Sequence, residues 1–205
     1  MSLVMAETAP AAGMSQWDYL LGTWRELDVP DGWRAEIVDD DGVVLVAPPS
    51  DPHNYIAVRV TRTLNKVLPE DWDVYQTLGI QMPRIERLYM PDLVIMPEAV
   101  VLDPHRTPCP ADEAELAVEI VSRSSKDTDR KKKLWGYAHA PVPLYLIIDA
   151  WDETGPSVTL HEQPGNGRYN QATTVSFGEK ITLPEPFDVD LDTSRFPMPD
   201  QWPSA

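Results

Sequence analysis

Two apolar runs, Leu116–Val121 and Leu144–Asp149, constrain this chain more than any other feature. Each has the length of a buried strand, roughly 4–8 residues. The segment between them carries a helical pattern that reaches His139 and breaks at Ala140-Pro141-Val142-Pro143. A third apolar run, Pro91-Asp92-Leu93-Val94-Ile95-Met96, precedes both. Strands alternating with helices through the middle of a chain predict an α/β sheet with a helix on either face.

The flanking segments extend this order. Residues 1–14 are rich in Ala, Pro and Met and are expected to be disordered. Ser15 can cap a short helix whose Trp17, Leu20, Leu21 and Trp24 form an i, i+3, i+4, i+7 stripe for the domain or for a partner. Residues 33–47 read as a hairpin closed by Asp41-Gly42. Ser50 reads as the cap of a helix running to Leu68, with Ile56, Val60, Leu64 and Val67 facing inward and Pro69 ending it. A strand is expected over Val74–Gln81, and an exposed loop between Met96 and Leu116. Ser124-Ser125-Lys126-Asp127 has capping-box spacing ahead of the next helix. After Asp149, a short meander over Ser157–Glu162, Arg168–Ser176 and Lys180–Leu183 leads to a Pro-rich acidic tail, 184–205. One domain over 15–183 follows, a size that supports a real core.

Composition removes several function classes. Cys109 is the single cysteine, so no disulfide forms within the chain, and no Cys/His cluster suggests structural zinc. A reducing cytoplasm fits that usage. No stretch approaches the ~20 apolar residues of a membrane span, and no signal-peptide pattern is present. There is no Gly-rich phosphate loop, no Gly-x-Ser-x-Gly elbow and no nucleophile context around Cys109. The net charge of -16 argues against a nucleic-acid enzyme, because phosphate binding needs local Lys and Arg. Six of the 17 basic residues do concentrate between Arg123 and Lys133, although such a run is ordinarily a solvated helix face.

Asp92 and Glu119 carry the chemistry. Asp92 opens one strand, where an acid can simply face water. Glu119 lies among apolar neighbours, sharing a strand face with Ala117 and Val121. It stands either on an open sheet face or partly buried, and a buried carboxylate requires a metal, a cation or a proton. Lys133 falls near the boundary of core and solvent on the following helix, with Arg130 and Tyr137 on its face. Two carboxylates on adjacent strands, backed by a lysine, can hold a divalent metal and activate a water. Glu36 breaks the apolar pattern of the first hairpin strand, and His53 lies in the first turn of its helix; both read equally as ordinary surface residues.

The ordered set of these segments resembles the Uma-two family, a bacterial branch of the PD-(D/E)XK (restriction-endonuclease-like) superfamily. The resemblance spans residues 33–175. It rests on Glu36-Ile37-Val38 with Asp41-Gly42, Ala47-Pro48-Pro49-Ser50 through His53, Pro91-Asp92-Leu93-Val94 and Leu116 through Ser122. Asp129-Arg130 with Lys133, Tyr137 and Ala138, and Val142-Pro143 through Tyr145 and Asp149, complete it. It implies a restriction-endonuclease-like core: a central mixed β-sheet flanked by helices, in the order helix, three strands, helix, strand, with the N-terminal hairpin and short strands added. It implies Asp92 and Glu119 as ligands of Mg²⁺ or Mn²⁺, Glu36 as an additional acidic ligand, and His53 and Tyr137 as pocket residues. Two departures stand out. Val121 occupies the place of the superfamily's usual lysine, which Lys133 on the next helix replaces. Leu144 stands where the family usually has an acid, so a local salt bridge is in doubt.

These observations lead to an expectation of metal-dependent hydrolysis of nucleic-acid phosphodiesters, with DNA as the leading substrate and Lys133 catalytic beside Glu36, Asp92 and Glu119. The acidic balance keeps two rivals open: a nuclease fold retained as a binding module with little catalysis, and an acidic partner of a basic protein. The aromatic stripe of Trp17 and Trp24 could serve a homodimer.

Overall fold

The structure is a computed structural model that describes residues 3–5 and 13–203. In chain order the elements are β1 (Leu3–Met5), α1 (Gln16–Glu26), β2 (Arg34–Asp39), β3 (Gly42–Val46), α2 (Asp51–Leu64), β4 (Trp72–Tyr75), β5 (Ile80–Met82), β6 (Arg87–Tyr89) and β7 (Leu93–Pro97). Then come α3 (Glu98–Val101), β8 (Cys109–Pro110), β9 (Leu116–Ile120), a π-helical segment Thr128–Lys133 that runs into α4 (Leu134–His139), β10 (Leu144–Asp149), β11 (Ser157–Gly165), β12 (Arg168–Ser176), β13 (Lys180–Leu183) and β14 (Val189–Asp192).

One six-stranded sheet has the order β12-β11-β10-β9-β7-β4. Only β9 and β10 run parallel in it, joined by the helical crossover; the remaining pairs are antiparallel. A second six-stranded sheet, β1-β3-β2-β6-β5-β8, is built on the hairpin. Asp39 and Gly42 pair at its turn, where Gly42 takes φ +136°, a backbone state that glycine adopts without a Cβ penalty. The small β13-β14 ladder closes the structure. The mixed α/β architecture expected from the strand–helix alternation is the one observed.

Strand periodicity sorts the core. In β9, Leu116, Val118 and Ile120 face one side, packed with Ile56, Val60 and Leu64 of α2. Ala117 faces the other, with Val94 and Met96 of β7, Tyr145 of β10 and Tyr137 of α4. Between the two sheets, therefore, runs the layer into which Glu119 points. On the hairpin, Ala35, Ile37, Val43 and Leu45 turn away from that layer and meet Leu20 and Leu21 of α1.

Several elements depart from the sequence expectations for local reasons. The single strand expected over Val74–Gln81 is two strands in different sheets, because Thr77 takes φ +55° between them. The loop expected between Met96 and Leu116 contains α3 and β8 and buries Val100, Cys109, Ala111 and Ala114, so its small apolar residues are core contacts. The stretch read as a Pro-rich tail carries β14 and packs Phe187, Leu191, Phe196 and Trp202 into the main core. Its apolar residues are too widely spaced to show a strand or helix period. Of the N-terminal segment expected to be disordered, Leu3–Met5 pairs antiparallel with β3, and residues 6–12 lie outside the described residues. The Trp17/Trp24 stripe covers the chain's own first sheet, with the Trp24 indole N–H donating to Ala35 O at 2.7 Å. The sequence argument for a dimer on that stripe is thereby removed. No helix of the described residues is long and apolar enough to cross a membrane.

Candidate active site

The antiparallel register of β7 and β9 sets Leu93 opposite Val118. One step further along both strands, Asp92 comes opposite Glu119. Asp92 Oδ2 accepts the Ile120 N–H at 2.8 Å, which ties the two strand ends together. The same oxygen lies 3.0 Å from His53 Nε2, delivered by the first turn of α2. Oδ1 accepts from Arg34 Nη1 at 2.8 Å. Burial alone would raise the Asp92 carboxyl, but His53, Arg34 and the Ile120 N–H outweigh it and hold it well below the usual carboxylate range.

Glu119 is 2 % exposed, which settles the choice between an open sheet face and a buried one. Its Oε1 accepts from Lys133 Nζ and from the Tyr137 hydroxyl, each at 2.8 Å. Lys133 also donates to Glu36 Oε1 at 3.0 Å, and that oxygen accepts the Met90 N–H at 3.1 Å. One ammonium thus bridges the two sheets. Asp129 stands one turn away, 3.9 Å from Lys133, and the Tyr89 ring lies beneath the ammonium at 5.8 Å. Burial pushes the Glu119 carboxyl well above its ordinary value; Lys133 opposes this, while Asp129, Asp92 and Glu36 add to it. Burial and the neighbouring carboxylates push Asp129 up to about 6 against the pull of Lys133 and Ser125. Lys133 moves the other way: burial would lower it, and Glu119, Glu36 and Asp129 more than compensate, so it is a permanent cation.

Local sequence explains each placement. Arg34 and Glu36 share one face of β2 by strand alternation, and Ala35 and Ile37 take the other. The π-helical segment widens the helix just before Lys133, and Lys133 and Tyr137, at i, i+4, both reach Glu119. Arg130, expected on the same face, turns instead to Asp149, its Nε donating at 2.6 Å. All six residues singled out from the sequence, Glu36, His53, Asp92, Glu119, Lys133 and Tyr137, come together. Sequence reasoning missed Arg34 and Asp129 as members of the cluster. Arg34 had a readable signal, since it lies two residues before Glu36 on a strand. Asp129 had none stronger than its i, i+4 spacing to Lys133.

The cluster forms the floor of a cleft of ≈ 470 Å³ whose walls include Pro48, Ser122, Arg123, Trp151 and Trp202. Its donor chemistry fits a hard divalent cation: Glu36, Asp92 and Glu119 offer carboxylate oxygens, the ligands that Mg²⁺ and Mn²⁺ prefer. Burial is the main reason the Glu119 carboxyl is raised, and the neighbouring Asp129, Asp92 and Glu36 carboxylates add to it. Among the described residues, no group of three or more His, Cys, Asp or Glu is arranged as a ready-made metal site. Asp92 Oδ2 already meets His53 and Ile120 while Oδ1 meets Arg34 alone, so a metal would add at Oδ1 or displace one of these contacts.

The Uma2 family model, described as "Putative restriction endonuclease", matches residues 22–195. Among solved structures, a "putative nuclease belonging to DUF820" from Anabaena variabilis superposes with a TM-score of 0.65, covering 86 % of this chain and 96 % of that one at 12 % identity. That likeness shows a shared fold. No curated protein matches the chain.

Proposed function

Because the chain belongs to the Uma2 family, we propose that it hydrolyses nucleic-acid phosphodiester bonds with the help of Mg²⁺ or Mn²⁺, DNA being the leading substrate. The observation that carries this reading is the placement of Asp92 opposite Glu119 at the floor of the cleft, with Lys133 bridging Glu119 and Glu36. Asp92 and Glu119 would hold the metal, with Glu36 as a further oxygen donor. A bound divalent ion supplies Lewis acidity and a water of lowered pKa.

The chain's own side chains take separate roles. Lys133 keeps its proton across the physiological range, so it stabilises negative charge developing on the phosphate or orients the attacking water, and it does not act as a base. The Tyr137 hydroxyl is likewise held in its protonated form by burial and by Glu119, and serves as a donor that fixes the Glu119 carboxylate. His53 orients Asp92 through Oδ2, and Arg34 does so through Oδ1.

One observation favours the second reading, a binding module with little catalysis. Four of the six basic residues between Arg123 and Lys133 are held by carboxylates: Lys131 by Asp127, Lys132 by Asp39, Arg130 by Asp149, and Lys133 by Glu36 and Glu119. Incubation with supercoiled plasmid, single-stranded DNA and RNA, with Mn²⁺ or Mg²⁺, separates the two. We expect cleavage by the wild type that disappears in Asp92→Ala and in Glu119→Ala with the fold retained. Cleavage that persists in both variants would refute the assignment. Mn²⁺ that fails to bind, with no cleavage in any lane, favours the binding module.

A further inference from the structure

We propose that Arg123 is the residue of the cleft wall that binds a phosphate of the substrate strand; this rests on the nucleic-acid reading above. The argument begins with the other cations of the cleft. Arg34 is held by Asp92, Lys132 by Asp39, and Lys133 by Glu36 and Glu119. Arg123 lines the same cleft, and among the described residues no carboxylate lies within ion-pair distance of it. Its partner is an aromatic ring: the guanidinium carbon stands 4.3 Å from the centroid of Trp151.

Trp151 is built to hold that position. Its backbone N–H donates to Asp149 Oδ1 at 2.8 Å, and its ring meets Trp202 edge-on at 5.4 Å. A guanidinium lying against an indole keeps its in-plane N–H fork uncovered, and that fork matches the oxygens of a phosphate. The hydroxyl-bearing residues Ser122, Ser124 and Ser125 line the cleft beside it. The Trp151 indole N–H is buried in the same wall without an acceptor among the described residues, a polar group that an anionic ligand could satisfy. Arg123 leaves β9 only four residues after Glu119, so the strand that carries the carboxylate also carries the phosphate contact.

One cation without a carboxylate partner among the described residues of the wall has a measurable signature. Each phosphate neutralised contributes a slope of about −0.7 for single strands, or −0.9 for duplex, to log affinity against log salt. The wild-type slope is therefore close to −1, far shallower than that of a protein tracking a duplex backbone. The test is equilibrium binding of labelled single-stranded DNA, single-stranded RNA and duplex DNA across a salt series, in EDTA and in Ca²⁺, with cleavage in Mn²⁺ measured alongside. Wild type, Arg123→Ala and Arg123→Lys are compared, with thermal melts to show that the fold is unchanged. We expect Arg123→Ala to bind roughly 10-fold more weakly and to lose most of the salt slope. Arg123→Lys keeps the slope but recovers only part of the affinity, because the charge is restored without the planar fork. Wild-type affinity and slope in Arg123→Ala, with cleavage intact, overturns the role of Arg123 and leaves the nuclease reading standing. Absence of both binding and cleavage by the wild type overturns the nuclease reading, and this inference with it.

Discussion

With its ammonium 2.8 Å from Glu119 and 3.0 Å from Glu36, Lys133 neutralises two carboxylates that burial would otherwise penalise. Removing one partner of such a group leaves uncompensated charge and costs about 3–5 kcal/mol. Urea unfolding of Lys133→Met should show a loss of that size, shrinking as pH falls and Glu119 takes up a proton. Asp129 makes a separate prediction. Its carboxyl is raised from 3.8 to about 6, so the folded state binds the proton more tightly than the unfolded chain. The stability this contributes is present below pH 3.8 and is lost as pH rises through about 6, roughly 2–3 kcal/mol in all. Asp129→Asn should flatten stability across that window; an unchanged profile would refute the shift. Asp92 has the opposite sign, and its contribution is lost only as pH falls through the acid range below Asp129's window. At this scale Glu119 was legible because a glutamate inside an apolar strand demands an explanation. Asp92 and Glu36 were legible only as members of an ordered set, since each alone passes for an ordinary surface acid.

Gly136 lets helix α4 pack directly onto Tyr89 of β6. A Cβ at that position would stand 2.4 Å from the Tyr89 hydroxyl oxygen and 2.6 Å from a ring carbon. Tyr89 is fully buried, lies under Lys133 and packs edge-on against Tyr137 at 5.3 Å, so it has little room to yield. Gly136→Ala should therefore cost about 1–3 kcal/mol from overpacking, despite the better helix propensity of alanine. It should also weaken any metal-dependent activity, by displacing the helix that delivers Lys133 and Tyr137; thermal melting and cleavage rate check the two effects. Helices and strands with a clear period were legible in the sequence: β9, β10, α2 and the hairpin lie where the apolar pattern places them. The π-helical turn was not, because its one-residue widening leaves no mark in composition. Nor was the division of Val74–Gln81 between two sheets, which depends on a left-handed Thr77 that no turn motif announces.

Across the whole molecule, the C-terminal stretch is a structural part of the core. Phe187, Leu191, Phe196 and Trp202 are all buried there. At roughly 1.5–3 kcal/mol for each large apolar side chain, their removal rivals the entire stability of an ordinary domain, about 5–15 kcal/mol. A chain ended after Leu183 should not fold cooperatively, whereas an acidic appendage would leave the melting profile unchanged. The alternation of strands and helices made the overall architecture legible. The closing segment was not, because its contacts are scattered aromatics held by turns. Trp202 and Pro203 also line the cleft. The end of the core segment and one wall of the candidate active site are therefore the same residues. A substitution at Trp202 would reshape the cleft and loosen the core together, and a silent assay of such a variant would report on folding before it reported on chemistry.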